Sequence, residues 1–390
     1  METKDSIRLK IDTLAFGGAG VGRINNFVVF VPLAAPGDEL EIEITAVKKK
    51  YARGRILRII RESPERTKPL CRYYGQCGGC CYQHLQYASQ LAVKKKQVEE
   101  SFRKIGKISL PPVADTLGSP SPYHYRGKAQ LHVAGGAGGI RLGFMDISGG
   151  SHIGIERCEI MEETINSRMV ALQSGAKNLI HNESRVTIWS GDENASGNKR
   201  SPVKRIVNGK EFLVSGEGFF QANLSLTGIL VNEVCRLATA GSTNTVIDAY
   251  CGCGLFSVFL APYFQKVIGI EANEKAVNLA RINAVNSGAV NAAFLAGDTG
   301  KVLLKSIIAT GLKADLLILD PPRTGCGRKT LEAIRRLNPQ NIIYISCNPA
   351  TQARDVKFLA TCGYHLQELI PVDMFPQTEH IEVIGFLSRE

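Results

Sequence analysis

Toward the C-terminus, from about residue 217, short solid apolar runs alternate with longer stretches whose apolar positions recur at three- and four-residue spacing. The runs predict buried strands over 245–249, 266–271, 292–296, 314–319 and 341–346. The stretches predict helices over 224–240, 255–264, 273–286, 301–309, 329–337 and 351–361. Such β–α alternation implies a parallel, doubly wound sheet. Two closing runs, 366–372 and 380–387, have no helix between them, so an antiparallel hairpin is expected at one edge.

The N-terminal pattern differs. Ile7-Arg8-Leu9-Lys10-Ile11 and Leu40-Glu41-Ile42-Glu43-Ile44 alternate at period two, and Phe27-Val28-Val29-Phe30-Val31 is a solid run. Glycine-rich turns separate them, at Gly17-Gly18-Ala19-Gly20 and Pro36-Gly37-Asp38. Short strands of this kind predict a small barrel of the OB type. The glycine run lacks a Gly-Lys-Ser/Thr ending and leads into a strand, so it is not a phosphate loop. Between these regions lies mixed sequence: a cysteine-rich opening, a Lys/Gln-rich helix over 83–104, β segments around 124–130 and 140–144, and a polar loop over 193–201. The expected domains are therefore a barrel (1–64), a central α+β domain (65–215) and an α/β domain (216–390).

Composition narrows the class. At 390 residues, 44% hydrophobic and 21% charged, the chain has the length of two or three globular domains. Met1-Glu2-Thr3-Lys4-Asp5 carries both signs of charge and no apolar core, and no run is long enough to cross a bilayer. A cytoplasmic protein is expected, whose eleven cysteines serve metal binding or chemistry rather than disulfides. The net charge of +11 points to a polyanion, and it is unevenly spread. Between Lys48 and Arg72 stand ten Lys and Arg against Glu62 and Glu65, a concentration that suits an RNA or DNA backbone.

The predicted strands deliver polar residues to one rim: Asp248, Glu271, Asp298, Asp320 and Cys347. In doubly wound sheets this rim holds ligands and chemistry. Glu271, ending the second strand, is placed for the two hydroxyls of an adenine nucleoside. Ser257 stands where a dinucleotide fingerprint needs its third glycine, which favours S-adenosylmethionine over NAD. Helix capping is the alternative use of each acid, foremost Asp298. Cys347 is a nucleophile in waiting, and pairing it with His380 would give a hydrolase. Elsewhere, Cys71-x5-Cys77-x2-Cys80 and Cys158 supply four thiols interleaved with glycine, suited to zinc or an iron–sulfur cluster.

Ser346-Cys347-Asn348-Pro349-Ala350-Thr351, Asp320-Pro321-Pro322-Arg323-x-Gly325, Phe219-Phe220-Gln221-x-Asn223 and Phe375-Pro376-x-Thr378-x-His380-x-Glu382 resemble, in order, the motifs of the RNA uracil-C5 methyltransferases. The resemblance covers nearly the whole chain. It implies a Rossmann-like methyltransferase domain, an N-terminal TRAM barrel that binds RNA, and a central cluster-binding domain. It further implies methylation of C5 of a uridine in structured RNA. Cys347 would be the nucleophile and Glu382 the base. Gln221, Tyr250, Glu271, Asp298 and Asp320 would contact S-adenosylmethionine, and Cys71, Cys77, Cys80 and Cys158 would hold a [4Fe-4S] cluster. Leu255 departs from relatives with a polar residue there, and Cys81 is an extra thiol without a role. By analogy the RNA is 23S rRNA, with tRNA as the alternative, and the enzyme acts as a monomer. An idle RNA-binding protein is the competing reading from another class.

Overall fold

Alternation of apolar and polar side chains wraps the N-terminal segment into a closed barrel. Its strands are β1 (Ser6–Leu14), β2 (Gly20–Ile24), β3 (Phe27–Val31), β4 (Glu39–Val47) and β5 (Tyr51–Arg61), neighbours in the order β1-β2-β3-β5-β4. Closure of β4 onto β1 leaves no open sheet edge. Leu9, Ile11, Val29, Val31, Leu40, Ile42 and Ile44 fill the interior. The structure is a computed structural model, and it describes residues 2–136, 139–175, 184–191 and 201–389. The predicted polar loop from Glu193 lies, up to residue 200, outside the described residues.

Buried Asp38 ties the barrel to the segment C-terminal to it. Its carboxylate accepts from the backbone N–H of Ala35 (2.6 Å) and Ser63 (2.9 Å) and from Arg66 (2.7 Å). Arg66 is thus a structural cation rather than a free one. A cysteine-bearing loop then leads into α1 (Tyr87–Ser101), which continues into a single π turn at Phe102–Gly106.

Next come β6 (Lys128–Gly136), β7 (Gly139–Met145), β8 (His152–Gly154), α2 (Glu163–Gly175) and β9 (Arg185–Trp189), the strands ordered β8-β7-β6-β9. Leu131, Leu142, Met161, Ile165 and Met169 make their own small core. The hairpin β10 (Pro202–Val207) and β11 (Lys210–Ser215) packs elsewhere: Val203, Phe212 and Val214 join the core of the C-terminal sheet. Val98 and Phe102, from the other end of the middle segment, join the opposite face of that sheet. The middle of the chain therefore grips the C-terminal sheet on both faces.

That sheet is built from α3 (Leu224–Ala238), β12 (Thr245–Ala249), α4 (Leu255–Leu260), β13 (Lys266–Glu271), α5 (Glu274–Asn286), β14 (Ala292–Ala296), α6 (Thr299–Val302), β15 (Leu316–Leu319), α7 (Arg328–Leu337), β16 (Asn341–Ser346), α8 (Pro349–Ala360), β17 (His365–Val372) and β18 (Glu382–Ser388). Strand order is β14-β13-β12-β15-β16-β18-β17, parallel up to β16, with β18 antiparallel between β16 and β17. The expected edge hairpin is present. Helix α4 is shorter than its periodicity predicts because Pro262 has no N–H to continue it. Helix α6 starts earlier than expected because Asp298 caps it. Among the described residues no helix is long and apolar enough to cross a membrane.

Candidate active site

The carboxyl ends of β12 to β16 converge as predicted, and each acid has a distinct local task. Asp248 is fully buried; its Oδ2 accepts from the Ser257 backbone N–H (2.9 Å) and hydroxyl (2.6 Å), which anchors α4 beneath the Gly252–Gly254 turn. Ser257 thus fills the place of the missing glycine with a hydrogen bond. The other oxygen, Oδ1, is buried without a protein partner. Glu271 accepts from the Gly252 N–H (3.1 Å) and the Asn273 N–H (2.8 Å). Tyr250 sits at φ +67°, a strained setting for a non-glycine residue, with its hydroxyl 3.4 Å from Thr330 Oγ1. Asp298 Oδ1 accepts from the Lys301 N–H (3.0 Å), so the capping use held open for it is real.

Gln221 is buried in the segment entering α3, whose cap is Asn223. Asn223 also donates from Nδ2 to Ser119 Oγ at 2.9 Å, fixing this segment to the middle of the chain. Phe219 and Phe220 part company: Phe220 is buried and Phe219 is 75% exposed. Leu255 is buried at the start of α4, consistent with its apolar character.

Burial and neighbouring charge act on two of these acids. Burial pushes Asp248 up to about 7 against the hydrogen bonds from Ser257, with Glu271 adding to the rise. Burial, then the charges of Asp248 and Glu271, push Asp320 up to about 7 as well. Two carboxyls raised together in this way would be relieved by a positive ligand and worsened by a pyrophosphate. The sulfonium of S-adenosylmethionine fits that field.

The nucleophile and base candidates lie beside these acids. Strand β16 ends at Ser346, Cys347 follows half-buried, and Asn348 caps α8 by accepting from the Ala350 N–H (3.1 Å), with Pro349 in the first turn. Asn348 Nδ2 and Thr351 Oγ1 both donate to the Arg323 carbonyl, each at 3.2 Å. The Asp320-to-Gly325 loop is thereby stitched to the cysteine motif. Gly325 is required there: its φ is +75°, and a Cβ would lie 2.5 Å from Asp355 Oδ2.

Glu382 is the first residue of β18 and is buried. Burial and the charge of Asp320 raise its carboxyl well above the usual range, opposed by Arg323. Burial, Glu382 and Asp320 raise the Cys347 thiol to about 11, again opposed by Arg323. These shifts show the four groups sharing one field. His380 is turned toward Arg323, Nε2 to Nη2 3.5 Å, and meets the Phe375 ring edge-on. Among the described residues no hydrogen bond joins it to Cys347, so the hydrolase pairing finds no support.

The sequence reading missed the groups that hold the β17–β18 loop. Lys94 of α1, fully buried, donates to Asp373 (2.5 Å) and to the carbonyls of His380 (2.9 Å) and Phe375 (3.3 Å). Gln90 donates to Gln377 Oε1 (3.0 Å) and accepts from the Gln377 N–H (3.1 Å). The extra thiol, Cys81, donates to Glu379 (3.4 Å), and its own N–H donates to the Gln377 carbonyl (3.0 Å). Gln90 and Lys94, four residues apart, share one face of α1, but nothing in the sequence shows that this face meets the β17–β18 loop.

Cys71, Cys77, Cys80 and Cys158 line a single recess of about 40 Å³ together with Tyr73, Gln83, Arg126 and Phe144. Burial and the neighbouring thiols raise Cys80 to about 12; burial first, then Cys71, raises Cys158 to about 11. Among the described residues no group of three or more His, Cys, Asp or Glu side chains is arranged to hold a metal ion.

The profile of the family described as tRNA (Uracil-5-)-methyltransferase matches residues 204–390, and that of the TRAM domain matches residues 4–57. An uncharacterized RNA methyltransferase from Halalkalibacterium halodurans is 33% identical over 98% of this chain and 97% of its own. The chain belongs to the tRNA (uracil-5-)-methyltransferase family. Another RNA methyltransferase, from Clostridium acetobutylicum, is 31% identical over 100% of this chain and 98% of its own. The crystal structure of Pyrococcus abyssi tRNA (uracil-54, C5)-methyltransferase in complex with S-adenosyl-L-homocysteine is similar throughout. It has 25% identity and a TM-score of 0.74, and the match covers 98% of this chain and 100% of that one. The protein is accordingly an S-adenosylmethionine-dependent RNA methyltransferase with an N-terminal TRAM barrel.

Proposed function

We propose that this methyltransferase forms 5-methyluridine in structured RNA through a covalent adduct between Cys347 and C6 of the target uracil. The observation that carries the reading is the pairing of Ser346 with Val383 across β16 and β18, which sets Cys347 and Glu382 side by side at the end of the two strands. Uracil C5 is a weak nucleophile, and the Cys347 thiolate activates it by adding at C6, moving ring electrons to C5 and O4. Arg323 offers the positive charge for the O4 enolate. When bound, S-adenosylmethionine supplies the electrophilic methyl group that C5 takes up. C5 then carries both a proton and a methyl group. The Glu382 carboxylate removes the proton, the C5–C6 double bond re-forms, and Cys347 leaves as thiolate. Gln221, Tyr250, Glu271, Asp298 and Asp320 bind and orient the methyl donor.

Cys71, Cys77, Cys80 and Cys158 are proposed to hold a [4Fe-4S] cluster. A cubane takes each thiolate on a different iron, so its ligands need to line one recess rather than meet at one point. When bound, the cluster would cross-link the cysteine loop to the segment between β8 and α2 that carries Cys158, and no chemical step is routed through it. Anaerobic purification with iron and sulfide analysis tests this, and a colourless zinc-loaded protein would overturn it.

Incubation with RNA containing 5-fluorouridine tests the mechanism. A covalent complex is expected in the wild type and not in Cys347→Ala; a wild type that never traps the RNA would remove the reading. By analogy with relatives that carry both the barrel and the cluster cysteines, the RNA is 23S rRNA, modified in the cytoplasm by a monomeric enzyme. The Pyrococcus abyssi relative, whose name gives tRNA as its substrate, favours tRNA as the second reading. Mapping 5-methyluridine in both RNAs from a strain lacking the protein separates them.

A further inference from the structure

The segment that enters α3 and carries Gln221 is held from outside the C-terminal sheet. Lys128 opens β6, Trp189 closes β9, and the two are partners across that antiparallel pair. Both side chains reach the turn ahead of Gln221. Trp189 Nε1 donates to the Gly216 carbonyl at 2.8 Å, and Lys128 Nζ to the Gly218 carbonyl at 2.5 Å. On the far side of Gln221, the Gly127 N–H donates to the Ala222 carbonyl at 2.7 Å, and Arg126 forms an isolated β-bridge with Asn223. Three successive residues of the middle sheet thus hold the chain on both sides of Gln221.

These contacts are themselves firmly seated. The Lys128 ammonium stands 4.4 Å from the centroid of the buried Trp189 ring, and the Arg205 guanidinium stands 5.6 Å from it. Arg205, also buried, donates to the Ser190 carbonyl (2.7 Å) and hydroxyl (3.1 Å), and the Ser190 N–H donates to the Gly127 carbonyl (3.0 Å). Gly127 permits this packing, since a Cβ there would lie 2.3 Å from Arg205 Nη2. Burial, and then the charge of Arg126, lower the Lys128 ammonium to about 8. It has given up much of its hydration and leans on the carbonyl and the indole face instead.

What is held in this way is an amide with no partner. Gln221 is 4% exposed, and its side chain makes no hydrogen bond among the described residues. A buried amide left open in this way awaits a ligand. A segment fixed before that ligand arrives spares it the cost of ordering the segment.

We propose that Lys128 and Trp189 are positioning residues for the methyl donor, fixing the turn at 216–218 so that Gln221 meets S-adenosylmethionine already in place. The inference rests on the reading of Gln221 as a donor contact and deepens it. The middle sheet is then part of the donor site, and it sets affinity for the donor rather than the rate of the chemistry.

Calorimetric binding of S-adenosylhomocysteine to the full-length protein, together with steady-state kinetics, tests this. Lys128→Met is expected to weaken the ligand roughly tenfold and to raise the KM for S-adenosylmethionine by a similar factor. Its kcat at saturating donor and its KM for RNA should stay close to wild type. Lys128→Arg, which keeps a charged donor at the indole, should recover most of the affinity. Trp189→Phe, which keeps an aromatic ring but not the N–H, should weaken binding in the same sense and serves if Lys128→Met does not fold. Wild-type affinity in Trp189→Phe and in any folded Lys128→Met would overturn the proposal. So would a kcat that falls as far as KM rises, or a Lys128→Arg no better than Lys128→Met. Gln221→Ala tells this failure from that of the reading beneath it. Full affinity in Gln221→Ala would remove Gln221 from the donor site, whereas weakened binding in that variant alone would keep Gln221 there and remove Lys128 and Trp189.

Discussion

Lys94 Nζ lies 2.5 Å from Asp373 Oδ1, and neither side chain reaches solvent. The same ammonium donates to the carbonyls of Phe375 and His380, so one buried cation from the middle segment clamps both ends of the loop that runs into Glu382. A half-removed buried pair leaves an uncompensated charge, at a typical cost of about 3–5 kcal/mol. Lys94→Met is therefore expected to lower unfolding stability by about that much in denaturant titration, and to lower kcat in the protein that remains folded. Lys94→Met with Asp373→Leu should recover part of the stability, because no charge is left buried. A single mutant with an unchanged denaturation midpoint would show that the pair is not what holds the loop.

This clamp was not legible in the sequence. Lys94-Lys95-Lys96 reads as a solvated helix face, and Lys95 does lie outward against exposed Asp115, while only the tertiary fold buries Lys94. The cross-strand pairing of Arg55, Arg58 and Arg61 with Glu43, Glu41 and Glu39 was hidden for a related reason. It depends on the register of β4 against β5, which slips at three points. The β–α order and the acids on the rim were legible because they follow from local periodicity and from where a strand must end. The hairpin β10–β11 shows the limit of that logic: its strands are readable, but their docking through Asn283, which bonds both the N–H and the carbonyl of Leu213, is not.

Removing the proposed base should separate the two halves of the reaction. Glu382→Gln keeps the size of the side chain and leaves Cys347 free to add to C6. With ordinary uridine RNA and S-adenosylmethionine, it should accumulate a methylated covalent complex that wild type resolves. Denaturing gel electrophoresis reads the shifted band, and its absence while Cys347→Ala and Glu382→Gln behave alike would reassign the base.

Arg323 and Asp320 should move the pH profile in opposite directions. With the Cys347 thiol raised to about 11, the thiolate fraction grows about tenfold per pH unit through the neutral range, and kcat/KM should climb with it. Arg323 favours the charged forms of both Cys347 and Glu382, so Arg323→Gln raises both and shifts the ascending limb to higher pH. Asp320 opposes those charged forms, so Asp320→Asn shifts the limb to lower pH, whatever it costs in rate at the plateau. Limbs that coincide with wild type would mean that neither charge acts on the nucleophile.

Binding of the methyl donor should expel protons. Asp248 and Asp320, both raised to about 7 by burial and by neighbouring acids, are partly protonated at neutral pH in the free enzyme. A sulfonium cation favours their ionised forms, so the affinity for S-adenosylmethionine should rise as pH increases from 6 to 8 and level off above the raised pKa values. S-adenosylhomocysteine, which lacks the positive charge, should show a weaker dependence. Calorimetry in two buffers of different ionisation enthalpy measures the protons released. Equal release for the two ligands would mean that the acids respond to the nucleoside common to both rather than to the charge of the methyl donor.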